Sequence, residues 1–216
     1  MKNKLALLLI IFNILLASRW IIGGNIFFHT DIARDFLLIE DIVDNKHLTL
    51  IGPRSGAIPG LFHGPLWLYL NLPAFLIGEG DPVFVGWFWV ILYIFSLLII
   101  YYVGKKLFGK EEGILSTLLL SSVTILNVRS LFNPYGALLL SPLFFYFLIS
   151  YLQNPRIRSL IFAFLILGLI IQFQMAFGIP VLILTLPYLL FFLYKSKNLS
   201  HIISLLVIII PLSSHL

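Results

Sequence analysis

Seven apolar runs, near residues 5 to 23, 83 to 104, 113 to 128, 136 to 152, 157 to 173, 178 to 194 and 201 to 216, constrain this chain more than any other feature. Each approaches the ~20 residues with which an α-helix crosses the hydrocarbon core of a bilayer. Several are short at one end, so tilt or local thinning is expected. The class implied is an all-α polytopic membrane protein, because a helix satisfies its own backbone in lipid. Composition agrees: 60% of the 216 residues are hydrophobic and 11% charged, against roughly 25% charged in a soluble domain. With no cysteine in the chain, disulfides, thiolate metal sites and cysteine nucleophiles are excluded. There is no convincing repeat, low-complexity tract or block of like charge, so a nucleic-acid partner has no support.

Lys2 and Lys4 precede "LALLLIIFNILLAS", with Ala17 and Ser18 as small residues, a pattern also shown by signal peptides. The apolar run continues through Trp20, Ile21 and Ile22, which favours an uncleaved first span. Either reading puts residue 24 outside. The side of every later loop then depends on "HGPLWLYLNLPAFLIG", residues 63 to 78, which is apolar but short and contains Pro65 and Pro73. If it does not span, Lys2, Lys4, Lys105, Lys106, Lys110, Arg156, Arg158, Lys195 and Lys197, nine of the fourteen basic residues, share the N-terminal side, as expected for the cytoplasm. If it does span, seven of these move outside and only Arg129 replaces them. The first topology is the better one. It predicts a multi-pass protein of the cell membrane, with the N-terminus cytoplasmic.

A long extracytoplasmic loop, residues 24 to 82, follows from that topology, and it holds seven of the nine acidic residues. Within it, residues 31 to 45 read as an amphipathic surface helix. Ile32, Phe36, Ile39 and Val43 form its apolar face, with Asp31, Arg34, Asp35 and Asp41 toward the other. Thr30 is the expected N-cap, and Asp31 suits the positive end of the helix dipole. Residues 63 to 78 are expected to form a second surface or re-entrant element. A run of charge is usually only a solvated face. Asp31, however, stands where the chain leaves the first span, a depth at which carboxylates are costly and often functional.

The ordered series "DIARDF", "LIGPRSG", "FHGPLWLYLNLP", "GDP", "YYVGKKLFGKEEGIL", "VRSLFNPYGALLLSPL" and "QFQMAFGIPVLIL" resembles bacterial and archaeal relatives of the dolichyl-phosphate-mannose protein mannosyltransferases. These are membrane glycosyltransferases of the GT-C fold, a group that includes the aminoarabinose transferases acting on lipid A. The resemblance runs from about Asp31 to Pro187. It implies a GT-C-like transmembrane bundle with amphipathic helices in the first outer loop, a polyprenyl-phosphate sugar donor, and a protein, lipid or glycan acceptor beside membrane lipid. Mannose, glucose, galactose and aminoarabinose donors all occur among the relatives.

An acceptor hydroxyl is a weak nucleophile, so a carboxylate must take its proton as the new bond forms. By resemblance Asp31 matches the family's loop acid and is the expected general base of an inverting transfer. Where many relatives have Asp-Glu, Ile32 follows here, which leaves no adjacent second carboxylate. The leaving phosphate calls for cations. Arg34 and Asp35, one helical turn from Asp31, are candidate substrate contacts or a plain ion pair worth a few tenths of a kcal/mol. Arg54, in the glycine and proline loop "GPRSG", is a candidate for the carrier phosphate or an ordinary solvated arginine. Arg129 and Asn133, in "VRSLFNPYG", are candidates for phosphate and sugar hydroxyl; the alternative for Arg129 is a headgroup anchor. Gln174 stands near the place of a histidine found in relatives, and it and His63 complete the candidate substrate contacts.

No cofactor or metal is called for, since His29, Asp31 and His63 have no metal-ligand spacing. "NLS" at Asn198 matches a glycosylation acceptor but falls in a cytoplasmic loop. His47, His201 and His215 look incidental. A transporter or flippase would carry charges inside its spans, and these are almost free of them. A noncatalytic scaffold would tolerate a neutral residue at Asp31. The chain stops in "IIIPLSSHL", and the resemblance implies that relatives continue with further spans.

Overall fold

The computed structural model describes residues 2–56, 59–195, 197 and 199–212. Ser196, Asn198 and His215 lie outside the described residues. Among those described, the regular structure is helical, apart from one isolated bridge between Arg54 and Phe62. The chain divides into two compact units, Met1–Leu48 with Leu68–Phe132, and Thr49–Trp67 with Asn133–Leu216.

The first unit contains α1 (Lys2–Ile22), α2 (Thr30–Asp44), most of α3 (Leu66–Ile77), α4 (Pro82–Leu107) and α5 (Lys110–Thr124), followed by a 3₁₀ turn at Asn127–Ser130. The start of α4 is set by Asp81, whose carboxylate accepts from Val83 N at 2.8 Å, and by Pro82, which gives up no needed donor in the first turn. Lys105 and Lys106 occupy the last turn, at the negative end of the dipole. The chain reverses through Gly109, at φ 129°, into α5. A Cβ on Gly104 would stand 2.9 Å from Gly113 Cα, so α4 and α5 touch backbone to backbone there, as small residues allow between apolar helices. The Asn13 amide of α1 donates to Ser121 Oγ at 2.9 Å and Ser122 Oγ at 3.1 Å on α5. The Tyr93 hydroxyl donates to the Ser121 carbonyl at 3.0 Å. Around these bonds Ala17, Ile21, Val90, Leu97, Ile114 and Val128 form the core.

The helix read over 31 to 45 is α2, but its inward face is not the one expected. Ile32, Asp35, Phe36, Ile39 and Ile42 are buried, and Val43 is only half-buried. Those five follow i, i+3, i+4, i+7 and i+10, a continuous stripe at 3.6 residues per turn. Asp35 therefore belongs to the buried stripe and not to the polar face, and its charge is matched by Arg34. The stripe meets Leu68, Leu72 and Phe75 of α3. Phe36 stands edge-on to Phe75 and Trp89, and Trp89 Nε1 donates to Asn71 Oδ1 at 2.8 Å. The N-cap is also corrected. It is His29, extended at φ −82° and ψ 172°, whose ring accepts from Asp31 N, and Thr30 is the first helical residue.

The second unit holds the loop 49–65, α6 (Pro134–Gln153), α7 (Ile157–Phe173), α8 (Met175–Lys195), a 3₁₀ stretch (Leu199–Ile208) and α9 (Ile209–Leu212). Pro134 opens α6, and α6 and α7 pair through the turn at Asn154 to Arg156. The centre is α7, with Leu160, Ala163, Phe164, Leu167, Ile170 and Ile171 buried. Gly168 admits Pro211, and Gly178 admits Ile171.

Among the described residues, four helices are long and apolar enough to cross a membrane: Asn3–Ile22, Pro82–Leu107, Pro134–Gln153 and Met175–Lys195. The chain is thus an all-α polytopic membrane protein. The other three apolar runs take shorter forms. The run at 113 to 128 stops as a helix at Thr124, where Thr117, Ser121, Ser122 and Thr124 bond back to carbonyls of their own helix and so compete with its continuation. The run at 157 to 173 is α7, of 17 residues, and that at 201 to 216 is mainly 3₁₀ where described. With 12 residues, α3 is about 18 Å long, well short of the ~30 Å hydrocarbon core.

Charge divides sharply between the units. All nine acidic residues and nine of the basic ones fall in the first, whereas the second has Arg54, Arg156, Arg158, Lys195 and Lys197 with no aspartate or glutamate. The chain's formal charge of +5 therefore belongs to the second unit.

Candidate active site

In the first unit, α1 ends at Ile22 and an extended segment leads to His29, the cap of α2. His29 Nδ1 accepts from Asp31 N at 3.3 Å, and its ring stands edge-on to Phe132. Asp31 is thereby fixed in the first turn with its side chain 45% exposed. Arg34, one turn on, donates from Nη1 to Asp31 Oδ1 at 2.9 Å. The same guanidinium donates from Nε and Nη2 to Asp35 Oδ1, at 3.0 and 2.7 Å. Asp31 Oδ2 lies 3.9 Å from His29 Nδ1. One oxygen of Asp31 is therefore oriented by Arg34, while the side chain as a whole stays half-exposed, an arrangement suited to accepting a proton.

Arg129 is on the same unit. Its carbonyl accepts from Phe27 N at 2.9 Å, which joins the 3₁₀ turn to the segment that leads into Asp31. Its guanidinium lies 4.6 Å from the Trp20 ring centre and 5.7 Å from that of Phe27. Stacking of this kind holds an arginine's plane while leaving its edge donors available for an anion. Asp31, Arg34, Asp35 and Arg129 are thus gathered on one unit. His29 and Trp20, which position them, were not among the expected site residues. The available signals were a histidine directly before an amphipathic helix and a tryptophan at the end of an apolar run.

The remaining expected residues lie in the second unit. Its loop pairs with itself: Gly52 N donates to His63 O at 3.0 Å, His63 N to Pro53 O at 2.9 Å and Ser55 N to Leu61 O at 2.8 Å. Arg54 is exposed on this hairpin and His63 is buried in it. The loop is fastened to the end of α7 by Gly64 N, which donates to Gln172 O at 3.0 Å. Gln172 in turn donates from Nε2 to the Pro211 carbonyl. Asn133, 3% exposed, donates to the Phe173 carbonyl at 2.8 Å and to Gln174 Oε1 at 3.0 Å. Trp67 meets Phe173 edge-on. The structure therefore brings Asn133 and Gln174 together directly, and ties His63 to them through the end of α7. Arg54 is left exposed on the paired part of the loop, opposite Phe62.

Residues 63–216 match the family described as dolichyl-phosphate-mannose-protein mannosyltransferase. The matched stretch begins at His63, so α1, α2 and Asp31 precede it. No curated protein and no solved structure matches the chain. The family match covers more than half of the sequence, and it fits the apolar helical architecture. The chain belongs to the dolichyl-phosphate-mannose-protein mannosyltransferase family and is a membrane glycosyltransferase of the mannosyltransferase type.

Proposed function

We propose that the protein transfers a sugar from a polyprenyl-phosphate carrier to an acceptor hydroxyl on the extracytoplasmic face of the cell membrane, with inversion at the anomeric carbon. The acceptor oxygen bonds to the anomeric carbon as the bond from that carbon to the phosphate oxygen breaks. The hydroxyl proton passes to Asp31, and the polyprenyl phosphate leaves with the electron pair. The observation that carries this reading is the Asp31 carboxylate, half-exposed, with one oxygen held by Arg34 at 2.9 Å and the other 3.9 Å from His29 Nδ1. The stacked Arg129 supplies a cation for the developing phosphate charge, a role that needs no proton donor. Arg34 and Asp35 position the base. The excess of lysine and arginine in the short loops on the N-terminal side supports a cytoplasmic N-terminus.

The experiment is sugar transfer in membranes that contain the protein, with polyprenyl-phosphate mannose as donor and the anomer of the product determined. Transfer with inversion is expected, and Asp31→Asn should reduce it by about 10²–10⁴-fold. Full activity in Asp31→Asn removes Asp31 as base. A product of retained configuration overturns the single displacement, and transfer from a nucleotide sugar alone overturns the carrier.

A further inference from the structure

The turn between α6 and α7 carries an open cavity of about 300 Å³, lined by none of the residues assigned to the transfer reaction. Asn133 precedes the first residue of α6 and the cavity adjoins its last, a separation of about 30 Å along a 20-residue helix. Ser150, Gln153 and Asn154 line it from the end of α6, at spacings of three and four residues that put them on one face. Arg156 and Ser159, three residues apart, line it from the start of α7. Phe147, stacked on Phe162 at 5.2 Å between ring centres, forms an apolar wall.

The chemistry of this lining is that of an anion site. Arg156 offers a planar fork of N–H donors, the amides of Gln153 and Asn154 and the hydroxyls of Tyr146, Ser150 and Ser159 add further donors, and no carboxylate lines the cavity. The second unit contains no aspartate or glutamate at all. The guanidinium of Arg156 therefore has no counter-charge within its own unit. The volume is at the small end for ligand sites and fits a phosphate with a short polar substituent. Because the cavity adjoins the end of a helix long and apolar enough to cross a membrane, a phosphate carried on a lipid can enter it with its acyl chains beside α6. Basic pockets between membrane helices take anionic headgroups in this way. We propose that this cavity binds the phosphate of an anionic phospholipid headgroup, held by Arg156 and by the hydroxyls of Ser150 and Ser159.

The test uses detergent-purified full-length chain and three probes: phosphatidylglycerol, phosphatidylcholine and inorganic phosphate. Bound lipid is counted by native mass spectrometry, and melting is followed by tryptophan fluorescence. Phosphatidylglycerol is expected to be retained and to raise the melting temperature, phosphatidylcholine to do neither, and inorganic phosphate to compete weakly. Arg156→Gln should weaken retention by about tenfold or more, the loss of one charge-assisted bond. Ser150→Ala with Ser159→Ala should weaken it by a smaller factor and serves as the second variant. Arg158→Gln, a neighbouring exposed arginine that does not line the cavity, should retain lipid unchanged. An equal loss in Arg158→Gln overturns the site in favour of diffuse loop charge. Unchanged retention in Arg156→Gln overturns it outright. Inorganic phosphate binding as tightly as the lipid overturns the lipid source.

Discussion

Arg34 donates twice to a single oxygen of Asp35, from Nε at 3.0 Å and from Nη2 at 2.7 Å, while its remaining terminal nitrogen reaches Asp31 at 2.9 Å. One guanidinium thus joins a carboxylate 4% exposed to one 45% exposed. The two acids should respond differently to loss of charge. Asp35→Asn leaves Arg34 without its inner partner and should lower stability by about 2 kcal/mol, less than the full cost of a deeply buried pair because Arg34 reaches solvent. Asp31→Asn should cost only about 0.3–1 kcal/mol through the helix dipole and an exposed ion pair, yet reduce transfer by about 10²–10⁴-fold. Melting in detergent alongside transfer assays checks the pair. Equal destabilisation by both variants, with equal residual activity, removes the distinction between base and support.

Arg129 stacked on Trp20 gives a second separation. Arg129→Lys keeps the charge but loses the planar stack and the fork, so the donor KM should rise about tenfold, equivalent to about 1.4 kcal/mol of lost phosphate binding. Trp20→Leu keeps the arginine and removes its support, and should raise the same KM by a smaller factor. Neither should change the acceptor KM. A change in acceptor KM with the donor KM intact would place Arg129 on the other substrate.

Much of this arrangement was legible in the sequence. Apolar runs of spanning length became long helices where nothing interrupted them, as in α1 and α4, and α8 holds its helix even through Pro180 and Pro187. The stripe of Ile32, Phe36 and Ile39 gave α2, and the shortness of 63 to 78 is reflected in the 12 residues of α3. What the pattern missed depended on partners. Asp35 reads as polar by residue type, but the helix register turns it inward and Arg34 neutralises it. The run at 113 to 128 looks continuous until its serines and threonines bond to their own carbonyls. The loop 49–65 has no periodicity to read, and its shape rests on the approach of Gly52 to Gly64, which meet only in three dimensions.

Those glycines make the next prediction. A Cβ on Gly52 would collide with the backbone carbonyl of Gly64 and stand 2.8 Å from His63 O. Both obstacles are main chain and cannot swing aside. Gly52→Ala should therefore open the hairpin that carries Arg54, at a cost of about 1–3 kcal/mol or more, as for other overpacked positions. Gly56, with nothing within 4 Å of its would-be Cβ, should accept alanine with a change within about 0.5 kcal/mol. Gly60, at φ 81° in open space, should lose about 1 kcal/mol from backbone strain alone. Melting temperatures of the three alanine variants test the order, which fails if Gly56→Ala is the most damaging.

Asn133 shows whether the end of α7 is held by side-chain amides. Its Nδ2 donates to both the Phe173 carbonyl and Gln174 Oε1, and the residue is almost wholly buried. Asn133→Ala removes a donor from two acceptors in a site screened from water, so a loss of about 1–3 kcal/mol is expected. Asn133→Asp should be worse, since it sets a carboxylate against two oxygen acceptors. Gln174→Glu meets the retained Asn133 donor with a stronger acceptor and should be tolerated better than Asn133→Asp, although both add one negative charge at nearly the same place. Melting of the four proteins in detergent distinguishes hydrogen-bond polarity from charge alone. Polarity predicts that the two acidic variants differ, whereas an identical loss in both means that the added charge, and not the orientation of the Asn133 amide, governs this end of the helix.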